Sequence, residues 1–338
     1  MQAGHHMRSE IDAAPGVFVR AFGNAVTPAV ADTLKMLRMD DARAFYTIAR
    51  GSSDAAASVL SYEFMRETGK PMTSLPPSVF SLGQGVDLAG SVVIVVSQSG
   101  ASDDLVRSAK GARARGAVVI GIVNQPGSDV ESAANLTLAI AAGPELAVPA
   151  TKTVTGSIAA GMALLSALAP DYAERALASA QSFAALAGRS HPMAGAIVAA
   201  LRRAEHVYVI GRDTGFGAAQ EIALKIKETC ALHAEAYSSS EVLHGPLQLA
   251  TNPLLVLILD TGQADQKASL DTAEAQLRAI GGTVFRLRPS DVGAPDLVPA
   301  AAAAALLYLC YPLVLATALA LGLNPDSPAT LSKVTQTT

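Results

Sequence analysis

Short apolar runs rich in β-branched residues alternate along this chain with longer stretches of helical periodicity, and that alternation leaves few folds open. The clearest strand candidates are residues 45–49, 92–96, 118–123, 207–211, 254–259 and 283–287. Helical patterns lie between them at 54–68, 103–115, 216–232 and 265–280. A strand, then a helix, then another strand indicates parallel pairing through crossover helices, so the expected class is α/β with doubly wound parallel sheets. Half of the residues are hydrophobic but only 4% are aromatic, and Trp is absent. The core must therefore be built from Ala, Leu, Val and Ile, which suits closely packed helices.

The pattern occurs twice. Phe45-Tyr-Thr-Ile-Ala-Arg50 runs into Gly51-Ser52-Ser53 and a helix ending Met65-Arg66-Glu67. Val207-Tyr-Val-Ile-Gly-Arg212 runs into Asp213-Thr214-Gly215 and a helix ending Ile226-Lys227-Glu228. Each copy reads as strand, small polar turn, helix. With 338 residues, two similar domains are expected. The expected division is an N-terminal extension and helix at 1–39, a phosphate-binding domain at 40–190, a catalytic domain at 191–324 and a tail at 325–338. The Ala- and Ser-rich stretch 170–192 reads as a helix leading to the join.

Several function classes are disfavoured. The net charge is −4 and the Lys and Arg residues are scattered, so nucleic-acid binding has no electrostatic support. The two cysteines, Cys230 and Cys310, form no C-x-x-C, and no His/Cys cluster has zinc spacing. No metal and no cofactor are expected, and a reducing, cytoplasmic compartment is. Residues 1–7 contain no apolar run of the kind a signal peptide needs. Residues 298–324 carry no charge and are long enough to span a bilayer. Their first third is dominated by Ala, Pro312 interrupts them and no basic cluster flanks them, so a buried helix is expected there and no membrane.

Two turns suggest an anion site. Ser97-Gln98-Ser99-Gly100-Ala101-Ser102 follows one strand and opens a helix at Asp103; Gly51-Ser52-Ser53 follows another. Hydroxyls, outward N–H groups and a helix N-terminus favour negative charge. Taken singly, each serine is more readily a cap or turn former than a ligand. Together, at strand ends that a doubly wound sheet places side by side, they point to a phosphate cradle. A second cluster lies on the helical pattern 216–232. Glu221, Lys225 and Glu228 fall on one face of it, and Ser238-Ser-Ser-Glu-Val-Leu-His-Gly-Pro246 follows. Such a face is ordinarily solvated. Here the helix is otherwise apolar, and Glu, Lys and His244 within twenty residues are what a proton shift between adjacent sugar carbons requires.

The serine loop resembles the hallmark of sugar isomerase (SIS) domains, Ser-Gln-Ser-Gly-x-Ser/Thr after an apolar strand. That resemblance implies phosphosugar binding by Ser52, Ser53, Ser97, Gln98, Ser99 and Ser102. Glu145-Leu-Ala-Val-Pro-Ala-Thr-Lys-Thr153 is similar to a family segment that touches the sugar around Val148 and Ala150. Leu224-Lys-Ile-Lys-Glu-Thr, Ala-Glu-Ala-Tyr237 and Glu241-Val-Leu-His-Gly-Pro246 resemble the isomerase half of glucosamine-6-phosphate synthases. Pro328-Ala-Thr-Leu-Ser-Lys-Val-Thr335 resembles the closing residues of those enzymes, and residues 7–15 their start. By this likeness Glu228 moves the proton and Lys225 lies beside it. His244 opens the ring and reaches a neighbouring subunit, and Lys333 forms a Schiff base with the ketose. A homodimer with shared active sites and a small phosphosugar ligand are implied. The chain departs from the family at Ala101, Ala150 and Ala329, where an acid, a serine and an arginine are usual.

Neither cysteine is N-terminal and no residues are left for a glutaminase. The expected reaction is therefore isomerising deamination of glucosamine 6-phosphate to fructose 6-phosphate and ammonia, in the manner of SIS-type deaminases. Two other readings stay open. One is a related phosphosugar isomerase, deaminase or deglycase acting on galactosamine 6-phosphate or a fructosamine 6-phosphate. The other is a sugar-phosphate sensor without catalysis. The site would be assembled from segments of both domains.

Overall fold

The structure, a computed structural model, describes residues 2–333. In chain order its elements are α1 (His5–Ala25), α2 (Pro28–Met36), β1 (Ala44–Ile48), α3 (Ser52–Thr68), β2 (Met72–Ser74), α4 (Ser78–Ser81) and β3 (Ser91–Ser97). There follow α5 (Asp103–Ala114), β4 (Val118–Val123), α6 (Asp129–Ala133), β5 (Leu136–Ala139), α7 (Lys152–Leu168) and α8 (Pro170–Ala184). The remainder comprises α9 (Ala194–Leu201), β6 (His206–Gly211), α10 (Thr214–Cys230), β7 (His233–Ser238), β8 (Leu255–Leu259), α11 (Lys267–Ala279), β9 (Thr283–Leu287) and α12 (Pro299–Ala320). Two compact units result. One holds residues 16–145 and 152–184; the other holds 2–15, 146–151 and 185–333.

The first unit carries a parallel sheet in the order β2-β1-β3-β4-β5, the flavodoxin-like arrangement. Its central strands read Ser-Val-Val-Ile-Val-Val-Ser and Val-Val-Ile-Gly-Ile-Val, with no polar alternation, because helices cover both faces. One core layer joins Ile48, Val93, Val95 and Val119 to Leu105 and Ala109 of α5. The order changes direction between β1 and β3, and this is where a doubly wound sheet opens a crevice at its strand ends.

The second unit repeats the order as β7-β6-β8-β9, again parallel throughout. Tyr208, Ile210, Val256 and Ile258 pack there on Leu270 and Leu277 of α11. The charge-free segment forms α12. Its length and composition are those of a membrane span, yet 83% of its most apolar stretch is buried within the structure. Ala300 to Ala305 are all buried, and the helix packs along α10. Small side chains let two helices approach closely enough to seal such a contact.

Three strands were not anticipated: β2, β5 and β7. Each lies at the edge of its sheet. The helix expected to reach residue 232 stops at Cys230, because Ala231 takes a left-handed conformation (φ +53°) and β7 begins at His233. The two similar helices also align one residue differently from the sequence reading. Gly51 (φ +54°, ψ −127°) and Asp213 (φ +56°, ψ −128°) cap α3 and α10 with the same backbone conformation. By that shared cap Glu63, not Phe64, is the counterpart of Lys225 in the repeat.

Candidate active site

The two serine turns lie at adjacent strand ends of the first unit, since β1 and β3 are hydrogen-bonded neighbours. Ser97 is buried, and its hydroxyl oxygen accepts the Gly100 N–H at 3.0 Å. It shapes the loop from inside. Gly100 sits at φ +63°, where a Cβ would come within 2.3 Å of the Ser128 hydroxyl, so only glycine fits. Ser99 accepts the Ala101 N–H at 3.3 Å, and Gln98 and Ser99 are half-buried. Ser102 is the N-cap of α5, yet its hydroxyl makes no capping bond. That oxygen and the N–H groups of Asp103 and Asp104, which bond no acceptor among the described residues, can therefore receive a ligand anion, whereas the N–H groups of Leu105 and Val106 bond the Ser102 carbonyl. Ser52 and Ser53 open α3 in the neighbouring turn and are also half-buried.

The catalytic candidates lie in the second unit, where α10 brings together the residues whose spacing drew attention. Glu221 and Lys225 are fully buried, while Glu228 keeps 23% of its side chain exposed. The Lys225 ammonium binds the Glu228 carboxylate directly and stands 3.8 Å from Glu221. From α12, the Tyr311 hydroxyl donates to Glu221 at 3.2 Å. A chain of polar groups thus runs from the interior to one carboxylate at the surface. A buried ammonium needs such compensation, because desolvation disfavours the charged form. Lys225 holds the Glu228 carboxylate in a fixed position, which suits a proton-transferring base.

Nearby, the Tyr237 hydroxyl donates to Glu235 at 2.7 Å, and burial together with that carboxylate pushes its pKa upward. His244 ends a short 3₁₀ turn and is exposed. No hydrogen bond among the described residues joins its ring to the α10 cluster.

Segment 146–151 belongs to the same unit and is held by both ends of the described chain. Glu10 of α1 accepts from the N–H groups of Leu146 and Ala147. Val148 donates to the carbonyl of Asp326 at 3.0 Å, and the Asp326 carboxylate accepts the N–H groups of His6 and Met7 at the start of α1. Lys333 donates from Nζ to the Ala147 carbonyl at 2.7 Å. Lys333 therefore stands beside Val148; no hydrogen bond among the described residues links it to Glu228. Ala150 is half-buried in the same segment. The closing part of the tail pattern, Val334 and Thr335, lies outside the described residues. In the first unit, Glu145 accepts both the N–H and the hydroxyl of Thr153, at 3.1 and 2.7 Å, at the start of α7.

Arg50 and Asp104 join the candidates only through the fold. Arg50 ends the β1 segment, and its Nε donates to Asp104 Oδ2 at 2.9 Å, in the first turn of α5. One side chain thus spans from the β1 turn to the β3 turn. Arg212, the matching residue of the second unit, was a signal in the sequence that arginine recurs at this place. Tyr311, hidden in an apolar helix, joins them in the same way.

The two units are thus of one class, parallel sheets doubly wound by helices, one carrying the hydroxyl-lined turns and the other the Glu221–Lys225–Glu228 cluster. The SIS domain family matches residues 38–167 and 200–287. Glutamine–fructose-6-phosphate aminotransferase (isomerizing) of Aeropyrum pernix is 33% identical over 303 aligned residues, covering 78% of this chain and 46% of that protein. The protein of that name from Thermus thermophilus is 30% identical and covers 72% of this chain and 44% of its own length. The chain spans about half the length of the curated relatives it matches.

Among solved structures, a protein from Silicibacter pomeroyi DSS-3, provisionally described as a phosphosugar isomerase, is 33% identical. It superimposes with a TM-score of 0.82 over 95% of this chain and 99% of its own. Glucosamine-6-phosphate deaminase from Thermotoga maritima, 20% identical, shares the fold with a TM-score of 0.73 over 98% of this chain and 100% of its own. The chain belongs to the SIS family.

Proposed function

We propose that the chain is a phosphosugar isomerase whose reaction is the isomerising deamination of glucosamine 6-phosphate. The observation that carries this reading is the buried Glu221–Lys225–Glu228 cluster, which leaves one fixed carboxylate at the surface of an otherwise apolar helix. In the open-chain sugar, the Glu228 carboxylate takes the C2 proton. The electron pair forms an enolamine, and the proton returns to C1. The product is the C2 imine of fructose 6-phosphate, which water hydrolyses to the ketose and ammonia. The cradle of Ser52, Ser53, Ser97, Gln98, Ser99 and Ser102 holds the phosphate. Val148 and Ala150 face the sugar, and Ala150 offers no hydroxyl to it. After leaving the Ala147 carbonyl and losing a proton, the Lys333 amine condenses reversibly with the C2 carbonyl of the ketose, expelling its oxygen as water; hydrolysis by water returns the free ketose.

His244 supports the second half of the proposal, a homodimer. It is exposed and, among the described residues, its ring makes no hydrogen bond to the cluster, and we assign it to the site of a second copy. Its imidazole opens the sugar ring there.

Ammonia release from glucosamine 6-phosphate tests the reading, with Glu228→Gln as the control. Release by the native protein that exceeds the control supports it; no excess rejects it. Galactosamine 6-phosphate and a fructosamine 6-phosphate belong in the same panel, because Ala150 removes a contact that the family's serine supplies. Faster turnover of either would reassign the substrate while keeping the chemistry.

A further inference from the structure

We infer that Arg50 is a ligand-contact residue that adds a guanidinium to the phosphate cradle. This rests on the phosphosugar reading above and extends it to a residue that carries formal charge. A cradle of hydroxyls and N–H groups attracts an anion through dipoles alone. Around this one the fixed charges are otherwise mostly acidic: Asp54 in the first turn of α3, and Asp103 and Asp104 in the first turn of α5.

Arg50 sits at the switch point between β1 and β3. Its Nε is held at 2.9 Å by Asp104, a carboxylate with no exposed surface. The side chain itself is 53% exposed, and its two terminal nitrogens bond no protein acceptor among the described residues. A guanidinium anchored through Nε with its outer edge open presents two parallel donors, the geometry that matches two phosphate oxygens. Its charge is felt on both sides. Asp54, whose carboxyl is raised by burial, is drawn partly back by the Ser74 hydroxyl and by Arg50.

The second unit provides the contrast. Arg212 follows β6 as Arg50 follows β1, before the same capped turn. There Nη1 is spent on the hydroxyls of Ser238 and Ser240, at 3.1 and 2.6 Å. The loop after β8, in the place of the serine loop, begins with buried Asp260, held by Arg286 and Arg288. That turn presents a carboxylate acceptor where the cradle presents hydroxyl donors. The open guanidinium belongs to the cradle alone.

The test is titration of the full chain with inorganic phosphate and with fructose 6-phosphate, comparing the native protein with Arg50→Gln, Arg50→Lys and Arg212→Gln. Fructose serves as the uncharged probe. Arg50→Gln should weaken both phosphate ligands about ten- to a hundredfold and leave fructose unchanged. Arg50→Lys, which keeps the charge but not the fork, should restore part of the loss; Arg212→Gln should bind as the native chain does. Phosphate binding by a folded Arg50→Gln that equals native binding overturns the inference and leaves the phosphosugar reading intact. A native chain that binds neither phosphate ligand overturns both.

Discussion

Lys225 is buried between two carboxylates, Glu221 and Glu228, and the first of these also accepts from the Tyr311 hydroxyl. Removing one partner of such a set is more damaging than its hydrogen bonds suggest, since the remaining charge stays buried. Lys225→Met should therefore destabilise the protein by about 3–5 kcal/mol in urea unfolding, chiefly through the stranded Glu221. Tyr311→Phe removes one bond to a buried carboxylate and should cost about 1–3 kcal/mol. Glu228→Gln keeps its position at the surface, so it should leave the melting temperature nearly unchanged while lowering kcat about 10²- to 10⁴-fold.

The two thiols behave in the opposite manner to a reactive pair. Burial raises Cys230 to about 11 and Cys310 to about 12. Their thiolates are scarce at pH 8, so a thiol reagent at that pH should modify neither in the folded protein and both after denaturation. Of these residues, Glu221, Lys225 and Glu228 were legible from spacing alone, because a helix makes i, i+4 and i+7 neighbours. Arg50 and Asp104 were not: 54 residues separate them, and no local period brings them together.

At the level of elements, the same distinction explains which strands the sequence announced. β3, β4 and β8 lie inside their sheets and are apolar on both faces, so their composition identifies them. β2, β5 and β7 are edges whose polar residues, Thr73, Thr137 and Glu235, blur the pattern, whereas the edge strand β9 keeps Val284, Phe285 and Leu287 and was legible. The loop after β3 depends on one conformation. Gly100→Ala places a Cβ against Ser128 in a left-handed backbone, and should destabilise by about 1–3 kcal/mol and abolish phosphate protection in a thermal melt.

On α11 and β9 an ion network adds a pH dependence. Hydrogen bonds from Lys267 and then Arg286 hold Asp271 down to about 2. Its folded value lies below the ordinary carboxylate value near 3.9, so its contribution is complete above that value and disappears as pH falls towards 2. Asp271→Asn should flatten the acid limb of a melting-temperature profile in that window and leave pH 6 to 8 less pH-sensitive than the limb itself.

On the scale of the whole molecule, the doubling of the fold was readable from two matched strand–turn–helix passages. The one-residue alignment of their helices was not, because only the shared cap conformation at Gly51 and Asp213 sets it. The composition of the units was also hidden. Residues 2–15 and 146–151 join the unit that contains 185–333, a partition made by packing and invisible to a reading along the chain. If His244 serves a second copy, two inactive proteins should rescue each other. Refolding Glu228→Gln with His244→Ala in equal amounts makes half the dimers mixed, each with one complete site, so about a quarter of native activity should return. Activity that stays at the level of the separate variants would place His244 and Glu228 of one chain in one site.

The bonds from Glu10, Asp326 and Lys333 to residues 146–148 give the chain's outer segments an unexpected hold on its middle. Carboxypeptidase trimming through Lys333 would leave the buried Ala147 carbonyl without that donor and slacken the stretch assigned to the sugar. Because Lys333 is also the amine proposed to bond the ketose, kcat should fall and KM rise well before the protein loses heat resistance, so loss of this segment would act as a dimmer on a site far away in sequence.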